Sequence, residues 1–209
     1  MLDELKEANK YIINKIKEND QHILEMEAYA TEYNVPIITK EVAEYLKFTV
    51  KTYGFKNILE IGTAIGYSGT IMAKEIQKLN GKLTTLEIDE ERFLVAKGNF
   101  EKANLNNVEL ILGDALEELP KLNEKYDFVF MDASKGKYKE FFDIIYPKVE
   151  EGGLIFIDNI MFRGYLYQEY PKRFKTIVRK LEEFIDYLYK EHDFVLLPFG
   201  DGIGLVKST

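Results

Sequence analysis

Cysteine is absent from this chain of 209 residues, and histidine occurs only at His22 and His192. Without cysteine there can be no disulfide, zinc finger, iron–sulfur cluster or thiol nucleophile. Two histidines are too few for a histidine-rich metal site and make a histidine-based triad a poor reading. Positive charge is also short: 28 Lys and Arg stand against 36 Asp and Glu, a formal charge of −8. A general nucleic-acid binder needs a basic surface, so that class is disfavoured, while a local basic patch stays compatible. Long apolar runs are missing too, and no window approaches the roughly 18 residues that a membrane span requires. The first residues, Met1-Leu2-Asp3-Glu4-Leu5-Lys6-Glu7, carry charge throughout and no apolar core, unlike a signal peptide. The expectation is a cytoplasmic protein of one domain, with a helical cap over 1–55 and a core over 56–209.

What is present is a repeating texture. Ile12, Ile13, Ile16 and Ile23 recur at helical spacings before Tyr33-Asn34-Val35-Pro36 interrupts them, and Thr39–Tyr53 predicts a second helix. From Asn57 onward, short apolar runs alternate with amphipathic stretches. The runs are Ile58–Ile61, Leu83–Ile88, Val108–Leu112, Phe128–Met131 and Leu154–Ile157; the helical stretches include Ser68–Leu79, Glu91–Ala103 and Tyr138–Val149. Strands apolar nearly throughout are covered on both faces, so the pattern predicts an α/β fold with a doubly wound, mostly parallel sheet. The end differs. A helix over Pro171–Lys190 leads to Phe194–Pro198 and Ile203–Val206, joined by Gly200-Asp201-Gly202. Those two strands predict an antiparallel hairpin that completes a seven-stranded sheet.

Ligands of open parallel sheets sit beyond the carboxyl ends of the strands. After the first strand the chain reads Glu60-Ile61-Gly62-Thr63-Ala64-Ile65-Gly66-Tyr67-Ser68-Gly69. Counting from Gly62, Ala64 and Tyr67 occupy the places where a dinucleotide fingerprint wants glycine. Glu60 would also repel a phosphate. It suits a cation instead, such as the sulfonium and amino group of S-adenosylmethionine. Ser68 is placed either to cap the following helix or to bind a carboxylate. At the next strand ends, Glu87 suits ribose hydroxyls, and Asp114 with the Ala115 amide suits adenine. Any one acid at a strand end is commonly just a helix cap; several in order make the methyl-donor reading the stronger.

The fourth and fifth strands end in Asp132 and in Asp158-Asn159. Neighbouring strands bring these to one rim, and three oxygen donors without histidine suit Mg²⁺. The competing reading is a helix cap at Asp132 and a turn at Asp158-Asn159. Lys135 lies close enough to share the site, and a lysine beside a cation, partly desolvated, can have its pKa lowered toward a base. The alternative is a solvated loop lysine.

Asp132-x-x-Lys135-x-x-Tyr138 and Asp158-Asn159 resemble the two metal motifs of the cation-dependent O-methyltransferases, the family of catechol and caffeoyl-coenzyme A methyltransferases. The resemblance implies the base role for Lys135 and metal roles for Asp132, Asp158 and Asn159. Glu27-Ala28-Tyr29-Ala30, Val35-Pro36-Ile37, Ile58 to Ser68, Asp158-Asn159-x-x-Phe162-x-Gly164, Pro171-Lys172-Arg173 and Pro198-x-Gly200-Asp201-Gly202 are similar to the bacterial branch that methylates wobble 5-hydroxyuridine in tRNA. That likeness implies donor contacts at Ile38, Ser68, Glu87, Asp114, Ala115 and Asp132. Arg163 stands where the branch has lysine, and the segment after Arg173 has fewer successive basic residues than the branch.

Residues 172–180 hold Lys172, Arg173, Lys175, Arg179 and Lys180. Helical spacing would put Lys172, Lys175 and Arg179 on one face, opposite Ile177, Leu181, Phe184, Ile185 and Leu188. The plain reading is a solvated face balanced by Glu182 and Glu183. With the resemblance it becomes a phosphate-contacting face for an anticodon loop, with Arg163, Lys172 and Arg173 as substrate contacts. A small catechol-like diol is the alternative acceptor, and a non-catalytic S-adenosylmethionine-binding protein is the reading of another class. The family likeness also implies a homodimer.

Overall fold

Three helices precede the first strand in the computed structural model, which describes residues 2–209 and side chains from Glu7 onward. They are α1 (Leu2–Lys15), α2 (Gln21–Glu32) and α3 (Lys40–Tyr53). Asp20 starts α2 by accepting from the His22 and Ile23 amides, at 3.1 and 3.4 Å. Gly54, at φ 68, ends α3 in the left-handed conformation that stops a helix cheaply. No helix among the described residues is long and apolar enough to cross a membrane.

The alternation that follows gives β1 (Asn57–Ile61), α4 (Tyr67–Gln77), β2 (Lys82–Glu87), α5 (Glu90–Lys102), β3 (Val108–Leu112), α6 (Ala115–Glu118), β4 (Tyr126–Met131), α7 (Tyr138–Ile145) and β5 (Val149–Ile157). Then come α8 (Lys175–Glu191), β6 (Asp193–Leu197) and β7 (Ile203–Lys207). The seven strands form one sheet in the order β3-β2-β1-β4-β5-β7-β6. β7 runs antiparallel to both of its neighbours, so it alone is reversed, and the hairpin closes the sheet as expected.

Side chains leave the strands alternately to two cores. Ile58, Phe128, Phe130 and Phe156 point to the face covered by α2, α3 and α4. Leu59, Ile61, Val129, Met131, Ile155 and Ile157 point to the face covered by α7 and α8. Truncating one of these fully buried phenylalanines would cost about 3–5 kcal/mol.

Several boundaries differ from the sequence reading: the stretch before Tyr33 is two helices, α1 and α2, and α7 ends at Ile145 rather than Val149. β5 starts at Val149 rather than Leu154, because Glu150, Glu151 and Gly152 are exposed and break the apolar pattern. The stretch before α8 is a 3-10 turn, Lys172–Phe174, so Lys172 does not share a helical face with Lys175 and Arg179.

Because the chain turns back between β1 and β4, the sheet has its crevice at the carboxyl ends of those two strands.

Candidate functional site

A cavity of about 560 Å³ opens at that crevice. Every strand end from β1 to β5 contributes to it. Gly62 and Ala64 come from β1, Glu87 and Ile88 from β2, Asp114 and Ala115 from β3, Asp132 and Lys135 from β4, and Asn159 and Arg163 from β5. Pro36 and Ile37 reach it from the α2–α3 connection, and Asp201 from the β6–β7 turn.

The half under β1–β3 is built largely from backbone. Gly62 has φ 100, and a Cβ there would lie 2.1 Å from the Asp132 carbonyl oxygen, so the β1 and β4 loops can meet only at glycine. The Gly62 and Thr63 amides donate to the Leu86 carbonyl at 3.0 and 3.1 Å. Ala64 takes a left-handed φ of 48, and its amide donates to Glu87 Oε2 at 2.7 Å. Glu87 Oε1 accepts from Ile88 and Asp89 at 3.0 and 2.9 Å. This carboxylate is therefore held rigid at the cavity wall. Asp114 caps α6 through the Leu116 amide at 2.9 Å while its other oxygen faces Lys137 at 3.5 Å. The helix-cap reading is thus correct for Asp114, and the residue lines the cavity as well.

Glu60, Ser68 and Ile38 are placed differently from the other candidates. Glu60 is fully buried and does not line the cavity. Ser68 Oγ donates to Glu60 Oε1 at 2.5 Å and Thr85 Oγ1 to Oε2 at 2.6 Å. With Glu60 ionised, Thr85 gives its proton to Glu60, which leaves Thr63 as the donor in the 2.6 Å Thr63–Thr85 contact. Burial pushes the Glu60 carboxyl up to about 7, against the pull of those hydroxyls. The expectation of a direct contact between Glu60 and a cation is corrected: its oxygens are occupied, because the even-numbered residues of β1 face the α4 side. Ser68 neither caps α4, whose N-cap is Gly66, nor faces the cavity. The Ile38 side chain is in the core, while its neighbours Pro36 and Ile37 line the cavity.

The half under β4 and β5 is built from charged side chains. Lys135 Nζ donates to Asp132 Oδ1 at 2.5 Å, and Asn159 Nδ2 lies 3.4 Å from the same oxygen. Asn159 Nδ2 also donates to Asp158 Oδ2 at 3.0 Å. Asp158 Oδ1 is buried without a hydrogen-bond partner among the described residues. Burial and the nearby Asp132 push the Asp158 carboxyl up to about 7. Tyr138, buried, donates to the Asp158 carbonyl at 2.8 Å and so ties the β4 loop to the end of β5.

Lys135 departs from expectation in its proton affinity. Burial alone would lower its pKa, but Tyr138 and Asp132 outweigh burial and raise it. In this state the amine is a held ammonium rather than a base.

Does this group suit a cation? Among the described residues no three His, Cys, Asp or Glu side chains gather at metal-holding spacing. The set offered is two carboxylates and an amide. An amide N–H between two carboxylates occupies the place that positive charge would fill, and a half-turn of the Asn159 amide presents its oxygen there instead. With the orphaned Asp158 Oδ1, the donor chemistry fits a hard divalent ion.

Lys172 and Arg173 lie outside the cavity, exposed on the turn before α8, and Arg163 is exposed at its rim. Charged cavity residues that escaped the sequence reading include Arg92, in the first turn of α5, Lys137 and Asp201. For Asp201 there was a signal, an acid between two glycines in a tight turn, but no rule tells whether such a turn faces a site.

Comparison with known proteins places this geometry. A family model described as O-methyltransferase matches residues 15–209. The catechol O-methyltransferase of Niastella koreensis is 32% identical over 169 residues, covering 78% of this chain and 76% of that protein. Caffeoyl-CoA O-methyltransferase 5 of Nicotiana tabacum is 29% identical over 215 residues, with 90% and 89% covered. The crystal structure of an O-methyltransferase from Bacillus cereus in complex with SAH has a TM-score of 0.85 at 25% identity and covers 100% of both chains.

Proposed function

The chain belongs to the O-methyltransferase family, and from that premise we propose that it methylates the 5-hydroxyl of wobble 5-hydroxyuridine in tRNA, giving 5-methoxyuridine, with S-adenosylmethionine as donor and Mg²⁺ as cation. The observation that carries an oxygen acceptor is the grouping of Asp132, Lys135, Asp158 and Asn159 beside the cavity, with one buried carboxylate oxygen unpartnered. Asp132, Asp158 and Asn159 would hold the ion, which when bound acidifies and orients a hydroxyl.

The remaining work falls to the protein. Glu87 and the Gly62–Ala64 backbone orient the donor's ribose, Asp114 and Ala115 its adenine, and Ile37 and Phe141 shield the reacting atoms from water. Glu60 lies beneath the donor loop and braces it through Ser68 and Thr85 without touching the ligand. Lys135 is the residue placed to take the acceptor's proton. To do so it must be released from Asp132, which holds its ammonium here. Proximity of donor and acceptor in one cavity supplies much of the rate.

For the tRNA acceptor the support is a set of exposed groups on a protein of net charge −8: Arg163 at the cavity rim, Tyr167 and Tyr170 in the segment that follows it, and Lys172, Arg173 and Lys175 at the start of α8 and the turn before it. Cations for phosphates next to aromatic faces for bases suit a single-stranded loop. Incubation with S-adenosylmethionine, Mg²⁺ and tRNA bearing 5-hydroxyuridine should yield 5-methoxyuridine on nucleoside analysis. Methylated catechol without methoxyuridine would instead favour the second reading, a small catechol-like diol, which the name of the Niastella relative supports. The proposal includes a homodimer, supported by exposed Tyr11, Ile12, Phe48 and Tyr53 on α1 and α3; a monomer in sedimentation would remove that part.

A further inference from the structure

The loop after β5 carries more backbone strain than any other part of the site. Asn159, Phe162, Arg163 and Gly164 have φ of 55, 47, 61 and 72. Asparagine and glycine tolerate the left-handed region, but phenylalanine and arginine meet Cβ crowding there. Local turns close the loop on itself, Phe162 N to Asn159 O and Tyr165 N to Phe162 O, both 3.1 Å, yet these do not tie it to the sheet.

The ties come from the β6–β7 turn. Ile160 N donates to Gly202 O at 3.1 Å and Met161 N to Asp201 O at 2.9 Å. The Asp201 carboxylate then takes the next two free amides, Arg163 N on Oδ2 at 2.5 Å and Gly164 N on Oδ1 at 3.2 Å. At Gly202 a Cβ would stand 2.3 Å from Met161 Cγ, so the two segments touch with no room for a side chain between them. Bonds from a carboxylate to two successive amides are charge-assisted, and they fall at Arg163 and Gly164, within the strained stretch.

We propose that Asp201 is a positioning residue for the acceptor: its carboxylate clasps the 159–164 loop so that Asn159 and Arg163 face the same cavity as Lys135. It acts through backbone amides rather than by touching the reacting atoms. The functional part rests on the reading that this loop belongs to the acceptor site; the clasp itself does not.

Three measurements on Asp201→Asn test it. Asparagine keeps one acceptor and turns an NH₂ toward the second amide. Hydrogen exchange at Arg163 and Gly164 should quicken about tenfold, the loss of one charge-assisted bond, with the sheet unchanged. The KM for catechol, used as probe acceptor, should rise by a similar factor with a smaller fall in kcat. The Kd for S-adenosylmethionine, by calorimetry, should stay within about twofold, because the donor half shares no bond with the clasp. Asp201→Glu, which keeps two acceptor oxygens, should recover part of the KM. Arg163→Gly relieves the strain and should shrink the Asp201→Asn effect on exchange, whereas Arg163→Ala should leave it undiminished. Unchanged exchange at the loop, faster exchange throughout the chain, equal effects in both Arg163 backgrounds, or a donor Kd that moves as far as the acceptor KM would each overturn the proposal. If the wild-type chain methylates neither catechol nor tRNA, the functional reading fails while the exchange result still decides the clasp.

Discussion

The ends of β1–β3 and the ends of β4–β5 face one cavity but are made of different material. On the first side, glycine at 62, a strained Ala64 and the amide-bound Glu87 make a rigid wall in which the backbone shapes the surface. Its buried acid, Glu60, is satisfied by two hydroxyls. On the second side, Asp132, Lys135, Asp158 and Asn159 crowd together with a carboxylate oxygen left over, and the loop that follows is strained. A wall satisfied in advance suits a ligand that is the same in every turnover. Unmet bonding capacity suits a site completed only when other groups arrive.

The widest separation between the two sides should appear in Lys135→Ala and Asp158→Ala. Each is expected to lower kcat by about 10²–10⁴, the range of a lost general base or a lost charge contact, with donor Kd by calorimetry almost unmoved. Unchanged turnover in either variant would collapse the distinction and favour a protein that binds the donor without using it. Chelation with EDTA should mimic Asp158→Ala and be reversed by Mg²⁺.

Gly62→Ala attacks the other side. Its Cβ cannot coexist with the Asp132 carbonyl, so the β1 loop must shift. Donor affinity should fall about tenfold or more, with a thermal-stability loss of roughly 1–3 kcal/mol. Donor affinity equal to wild type would show that this wall is not rigid.

A smaller effect is expected at the basic turn before α8. Lys172→Ala with Arg173→Ala should raise the KM for tRNA about tenfold and flatten its salt dependence, while leaving catechol kinetics alone. An equal rise for catechol would remove the tRNA surface from the reading.

The last effect is on stability rather than turnover and concerns Glu60. Burial pushes its carboxyl up to about 7 from the ordinary 4.5, so the folded state binds more protons between those values. Stability should therefore fall as pH rises from about 4.5 to 7 and level off above, by up to about 3 kcal/mol. Glu60→Gln, assayed without donor, should lose the Glu60 share of that slope, leaving the share of Asp158, whose carboxyl is also pushed up to about 7, and be the more stable at pH 8. A slope undiminished by the substitution would assign it to Asp158 or another group.

Much of this was legible in the chain. The five apolar runs became β1–β5 within a few residues, because strands buried on both faces must be apolar throughout. The hairpin was legible from Gly200-Asp201-Gly202. Glu87, Asp114, Ala115, Asp132, Lys135 and Asn159 line one cavity because a parallel sheet sends all its strand ends the same way. Side-chain direction was less legible. Whether Glu60 points into the cavity or into the α4 interface depends on the strand's rotation, which a continuous apolar run does not reveal. The Lys135 pKa was read with a cation in mind, and the distances to Asp132 and Tyr138 that reverse its direction are set by packing.

What the sequence determined alone is the order of strands and helices, the exclusion of thiol chemistry and the oxygen character of the site, because these follow from composition and periodicity along the chain. What only the tertiary structure decided is which groups spend their hydrogen bonds inward. Glu60 and Ser68 turn to each other beneath the wall, Asp158 keeps an oxygen unpaired, and Asp201 reaches back to clasp a loop some forty residues earlier. Such bonds join residues far apart in the chain, and no local pattern records which distant partner will fill a buried lone pair.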